Sequence, residues 1–283
     1  MSALATDTQT PKPGMSRTQK LLFFLTAWLI CLMPFLFWWN TWFGRKLSDQ
    51  QLTAYLHDNK KPRHIQQALV QVGERITRHD ATANQWYPQL VQLATDPVEE
   101  VRNTDAWVMG QDTAGPGFHQ TLLKMLTDSS QMVRGNAALS LVRFGDASGR
   151  PQILVLLQPA RITSPESGRI LDSDRPGTAI HQGGLIAKLQ HGHEQSVEIR
   201  SPIPGRIRSV AGTGANLAAG AELAVIDPAN EQVWEALRAL YLIGQPEDLA
   251  AIRPYERDLP DISNDVRRQA QETEQAIRKR SGS

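Results

Sequence analysis

The chain has 283 residues, enough for one large or two ordinary domains with a real core, so no disulfide or metal staple is needed to hold it. Thirty basic against twenty-nine acidic residues leave a formal net charge of +1, which removes any whole-chain argument for nucleic acid as the partner. The one cysteine, Cys31, has no second thiol to join, so cysteine usage is compatible with either a reducing or an oxidising compartment.

Residues 1–19 are polar, carry Pro11 and Pro13 and show no apolar period, which predicts a disordered tail. From Leu21 to Phe43 there is no charged residue. At 1.5 Å per residue such a run exceeds a hydrocarbon core of about 30 Å, predicting a single transmembrane helix over 20–44. Trp38, Trp39 and Trp42 sit where aromatic rings favour the headgroup layer, and Arg17 and Lys20 before the span answer Arg45 and Lys46 after it. A cleaved signal peptide is the competing reading, but its apolar region would be shorter and end in small residues, not tryptophans. Pro34 predicts a bend. Close to the span, Lys12, Arg17 and Lys20 outnumber Arg45 and Lys46, favouring a cytoplasmic N-terminus and an extracytoplasmic arm. A wider window that takes in Lys60, Lys61 and Arg63 reverses that balance. Residues 45–61 read as a juxtamembrane linker.

Beyond the linker the pattern Asp, four residues, Val-Arg occurs at Asp96 with Val101-Arg102, at Asp128 with Val133-Arg134 and at Asp261 with Val266-Arg267. Ala106 and Ala138 follow at matching places, with apolar neighbours at helical spacing. Each block predicts a helix capped by the Asp, followed by a second helix such as 121–128. A further copy lies at 230–252, where Val233, Ala236, Leu237 and Leu240 share a face, and a degenerate leading copy at 62–95. Helix pairs of this kind cannot bury their faces alone and stack into a solenoid. The pattern resembles the short bacterial HEAT repeat, with D-x-x-x-x-V-R, an Ala-rich helix and a closing L-G-D. The resemblance covers 62–157 and 228–280. The first copy lacks the closing motif, and Trp234 stands where the 230–252 copy would carry Arg.

Between Pro159 and Asn230 the composition shifts to Gly, Pro, Ser and alternating β-branched residues, predicting short strands and tight turns. Ser164-Pro165-Glu166-Ser167-Gly168-Arg169-Ile170 recurs as Ser201-Pro202-Ile203-Pro204-Gly205-Arg206-Ile207, and the same offset maps Gly177 onto Gly214, Gly183 onto Gly220 and 186–189 onto 223–226. Two such halves resemble the biotinyl/lipoyl domain, a barrel-sandwich hybrid. That family carries its prosthetic group on a lysine at the hairpin between the halves. Here the hairpin, 190–196, has no lysine. Glu194 falls near the carrier position and Lys188 lies inside the preceding strand, so the resemblance implies no carrier function and no cofactor. Membrane fusion proteins of efflux and secretion systems form another branch that pairs an anchor with this fold, but they insert a long coiled coil between the halves.

His191 and His193 flank Gly192 at the hairpin, with Glu194 beside them and His181 upstream, a weak candidate metal set weighed against an exposed polar turn. Arg200, Arg206 and Arg208 alternate around a predicted strand as candidate interaction residues for an acidic partner or lipid headgroups. Nucleophile elbows, phosphate loops and dinucleotide fingerprints are absent, so no catalytic residue is expected. The expected fold is therefore an α-solenoid of HEAT-like helix pairs over 62–158 and 230–276, with a β domain inserted at 159–229, one N-terminal transmembrane helix and a C-terminal tail at 277–283. The expected function is a non-catalytic accessory or scaffold subunit of a larger membrane complex, respiratory or photosynthetic, with integral-membrane subunits and lipid as partners and no small-molecule substrate evident. A periplasmic adaptor of a transport or secretion system is the alternative.

Overall fold

A computed structural model of the chain describes residues 16–42, 46–191 and 195–282, without the side chains of Cys31, residues 34–42 and Gln195. Most of the expected tail, residues 1–15, is outside the described residues, as are Arg45, His193 and Glu194. The chain divides into two compact units, Met1–Ser48 and Asp49–Ser283.

The first unit holds α1 (Arg17–Trp42). Its start is a reciprocal cap: Ser16 Oγ accepts from Gln19 N at 3.2 Å while Gln19 Oε1 accepts from Ser16 N at 3.0 Å. Arg17–Gln19 are therefore helical, not tail, because the cap at Ser16 stands ahead of the apolar run that begins at Leu21. Leu21, Phe24 and Ile30 are exposed along it. No helix among the described residues is long and apolar enough to cross a membrane. The side chains of Trp38, Trp39 and Trp42, which complete the expected 21–43 span, are outside the description, while Lys46 is exposed.

The second unit is mostly helical, with two small antiparallel sheets. Its helices are α2 (Asp49–Leu56), α3 (Pro62–Thr77), α4 (Tyr87–Leu93), α5 (Glu99–Met109), α6 (Phe118–Met125), α7 (Gln131–Arg143), α8 (Arg150–Leu156), α9 (Asn230–Ile243), α10 (Leu249–Ile252) and α11 (Asn264–Ser281). Two expectations are corrected. The 45–61 linker contains α2, because Leu52 and Leu56, one turn apart, bury against α3. The C-terminal tail begins with helix, because Ile277 is buried and holds the last turns of α11 in the core.

Long helices α3, α5, α7, α9 and α11 pack each on the next, and the short helices alternate with them. Polar bonds recur along this row at the repeat spacing. Arg102 reaches forward to the Asp128 carboxylate in two bonds of 2.7 and 2.9 Å and back to the Asp96 carbonyl at 2.8 Å, and Arg134 takes the Asp128 carbonyl at 2.7 Å. Ser140 Oγ donates to the Ala106 carbonyl and Thr273 Oγ1 to that of Leu237. A third series runs from the start of short helices to a carboxylate between the two helices of the following pair: Tyr87 to Asp112 at 2.6 Å, His119 to Asp146 at 2.7 Å and Arg150 to Asp248 at 3.1 Å.

The last of these bonds spans the whole β segment. Together with the core of Ile153, Leu156, Val233, Leu237 and Val266, shared by α8, α9 and α11, it makes α9 the direct structural successor of α8. The repeat Asp residues are not N-caps. Asp96 and Asp128 each accept the N–H two residues on, from Val98 and Ser130, closing a turn before the helix, and Ser130 and Ser263 supply the caps of α7 and α11.

The β segment contains β1 (Ala160–Thr163), β2 (Gly168–Ser173), β3 (Ala179–Ile180), β4 (Leu185–His191), β5 (Gln195–Arg200), β6 (Gly205–Val210), β7 (Asn216–Leu217) and β8 (Glu222–Pro228). The sheets run β1-β8-β6-β3 and β5-β4-β2-β7. Exchanging each strand for its counterpart 37 residues away turns one order into the other, so the sequence repeat is a spatial pseudo-two-fold. The detail matches: Ser164 Oγ bonds the Glu166 carbonyl and Ser201 Oγ that of Ile203, while Gly177 N reaches Ile207 O as Gly214 N reaches Ile170 O. Ile170, Leu189, Ile207 and Ile226 fill the core between the sheets, joined from α7 by Met132. Gln182 also donates to Glu99 at the start of α5, fixing the β segment on the helical row.

Candidate interaction surfaces

The long-helix face carries a groove of about 540 Å³ bounded by α5, α7, α9 and α11. Trp107 is 43 % exposed, Tyr241 43 % and Leu242 61 %, a concentration of apolar surface that water does not favour. Trp107 lies off the buried Val101-Asp105-Val108 stripe of α5, and Gly73 on α3 leaves room for its ring, the added Cβ falling 3.1 Å from Cζ3. Around it the polar groups are engaged: Asn136 with Asn103 at 2.8 Å, Arg143 with Gln111 at 2.8 Å, and Arg238 stacked 4.7 Å over Trp234. Sequence reasoning missed Trp107, Tyr241 and Leu242, although each stands off its helix's apolar stripe and was detectable that way.

Arg200, Arg206 and Arg208 do not form one stripe. Arg200 ends β5 in one sheet, bonded to Glu198 at 2.5 Å and to the Gly183 carbonyl at 2.7 Å. Arg206 and Arg208 are on β6 in the other sheet, Arg206 on the Gly177 carbonyl at 2.5 Å and Arg208 in a two-pronged pair with Asp227. The Asp227 bond holds the Arg208 guanidinium above its ordinary range.

His191 ends β4, bonded through Nδ1 to the Ser167 carbonyl at 3.0 Å with Glu166 at 3.6 Å. His181 precedes the opposite end of that strand, about 20 Å away by strand rise, so it does not converge on the hairpin. No group of three or more His, Cys, Asp or Glu side chains suited to a metal occurs among the described residues.

A second cavity, about 770 Å³, lies between β6 and the helical row, walled by Val233, Tyr255, Leu259 and Ile262. Tyr255 ties its wall to the Leu157 carbonyl at 2.5 Å, and burial pushes its phenol up to about 12. Next to it, Glu256 meets Glu274 of α11. Burial, then the hydrogen bond and charge of Glu274, push the Glu256 carboxyl up to about 7, while that bond and Arg278 hold Glu274 low. Because the folded value lies above the ordinary 4.5, this contribution to stability is complete below about 4.5 and is lost as pH rises to about 7. Thermal unfolding is expected to show a lower Tm at pH 8 than at pH 5, and Glu256→Gln to shrink that difference; an unchanged difference would exclude the pair as its source.

Comparison with protein-family models and with curated proteins returns no match. Among solved structures the chain is similar to a designed armadillo repeat protein in complex with the peptide (KR)4, at 15 % identity and a TM-score of 0.41, covering 80 % of each chain. The repeat in this chain is defined by its own inter-repeat bonds and shared core.

Proposed function

We propose that the protein is a non-catalytic, membrane-anchored scaffold subunit that holds a protein partner in the groove of its helical row. The observation that carries this reading is the groove itself: three exposed large apolar side chains on the long-helix face, beside Asn136, Arg143 and Arg238, each already engaged with another side chain. Buried aromatic anchors commonly dominate interface energies, and Trp107 and Tyr241 are placed to serve as such. The anchor in this reading is α1, and the absence of charge in the sequence from Leu21 to Trp42 supports a single span. The charge balance close to the span favours an extracytoplasmic arm. The β segment, in this reading a lipoyl-like barrel-sandwich hybrid without a carrier lysine, acts as a spacer and second surface. A subunit of a respiratory or photosynthetic membrane complex fits these features. The periplasmic adaptor reading is second, supported by the anchor combined with the duplicated β segment.

Purification of the full chain in mild detergent, with mass spectrometry of what co-migrates, tests the proposal. Stoichiometric integral-membrane partners are expected, and Trp107→Ala with Tyr241→Ala is expected to weaken their retention at least tenfold, since a hot-spot truncation costs about 2 kcal/mol or more. A chain that migrates without partners, or retention indifferent to the double substitution, would overturn it.

A further inference from the structure

Strand β5 is a six-residue sheet edge that, among the described residues, pairs with β4 alone. Its main-chain directions follow from the residue after it. Ser201 donates its N–H to Gly184 O at 2.9 Å and accepts from Gly183 N at 2.8 Å, so its backbone faces β4. In an extended strand these directions alternate, which turns the main-chain groups of Val197 and Ile199 towards β4 and those of Ser196, Glu198 and Arg200 outwards. Ser196, Glu198 and Arg200 are also the exposed side chains of one face, whereas Ile199 is buried beneath.

We propose that β5 is a docking edge for β5 of a second copy of this chain, paired antiparallel about a two-fold axis through Ile199. The side chains select both the occupant and the register. With Ile199 opposite Ile199, Glu198 of each copy faces Arg200 of the other, and both residues present outward N–H and C=O groups, so two bonded pairs form symmetrically. The two neighbouring permitted registers set Glu198 against Glu198 or Arg200 against Arg200, like-charge contacts that disfavour both. Within one copy Arg200 already lies 2.5 Å from Glu198 on this face, so docking extends an existing pair into a four-charge cluster. The pseudo-equivalent edge, β1, places Arg161 and Thr163 outwards and has no such alternation, so the proposal is confined to β5.

The test is a charge cycle on the detergent-solubilised full chain, with mass read by analytical ultracentrifugation. The native chain is expected to dimerise. Glu198→Arg sets cation on cation and Arg200→Glu anion on anion, and each is expected to weaken the dimer at least tenfold. The double exchange, Glu198→Arg with Arg200→Glu, is expected to restore it, and so is an equimolar mixture of the two single variants, where every cross-strand contact is again of opposite sign. This rescue separates a pairing effect from a folding defect. A monomeric native chain, a dimer indifferent to the single reversals, or a mixture that does not associate would overturn the inference. None of these outcomes depends on Trp107 or Tyr241, so the groove reading and the β5 edge stand or fall separately.

Discussion

Replacing Gly205 with alanine is expected to destabilise the β segment by about 3 kcal/mol or more, at the upper end of what overpacking costs. Gly205 opens β6 opposite Pro228, and a Cβ built there would lie 1.8 Å from the Asp227 carbonyl oxygen and 2.9 Å from its carbon. Both atoms belong to the β8 backbone, whose other edge is held by β1, so no rotamer change can relieve the clash. The pseudo-symmetric Gly168 makes the same approach, with a Cβ 2.3 Å from the Gln190 carbonyl. Gly212 is the control, since its Cβ would meet nothing within 4 Å and Gly212→Ala should be nearly neutral. Urea unfolding of the three variants checks this. Equal midpoints for Gly205→Ala and Gly212→Ala would show that β8 can yield, and that the close approach is not what fixes glycine at both halves of the repeat.

The two glycines also show why this part of the fold was legible. A duplication forces the same steric solution twice, and the Ser-Pro-x-x-Gly-Arg-Ile match at a constant offset is visible without coordinates. The helix pairs were legible for a similar reason, since Val101, Val133 and Val266 each open a buried stripe. Other features were not. The third inter-repeat series uses Tyr87, His119 and Arg150, three unlike side chains for one geometric task, and no residue pattern can reveal it. The Asp residues were misassigned as caps because an Asx turn and an N-cap use the same residue type two positions apart. The arginine candidates separate because alternate positions near a strand end do not say which sheet a strand joins, and Arg200 on β5 stands in the other sheet from Arg206 and Arg208 on β6. The groove arises only when four helices from distant parts of the chain meet, so its residues could be read as off-stripe but not as neighbours.

Asp105→Ala is expected to stabilise the protein at pH 7 by about 3 kcal/mol, in the direction opposite to most core substitutions. Asp105 is wholly buried in α5, and neither carboxyl oxygen has a hydrogen-bond partner. The repeat offsets put Ala137 of α7 and Ala270 of α11 at the same place, and both are fully buried, so the row accepts a methyl group at this position. Burial, then the charge of Asp96, pushes the Asp105 carboxyl well above its ordinary range. The folded chain therefore holds a proton that the unfolded chain releases near pH 4, and the stability this confers is full below that value and lost as pH rises. The gain from Asp105→Ala should accordingly be large at pH 7 and small at pH 4, whereas Asp105→Asn, which removes the charge but leaves a buried polar group without partners, should give only part of it. Urea titrations at the two pH values decide the matter. A destabilised alanine variant at both would mean that the volume of the carboxyl, not its hydration, governs this site, and that one repeat departs from alanine in order to fill space.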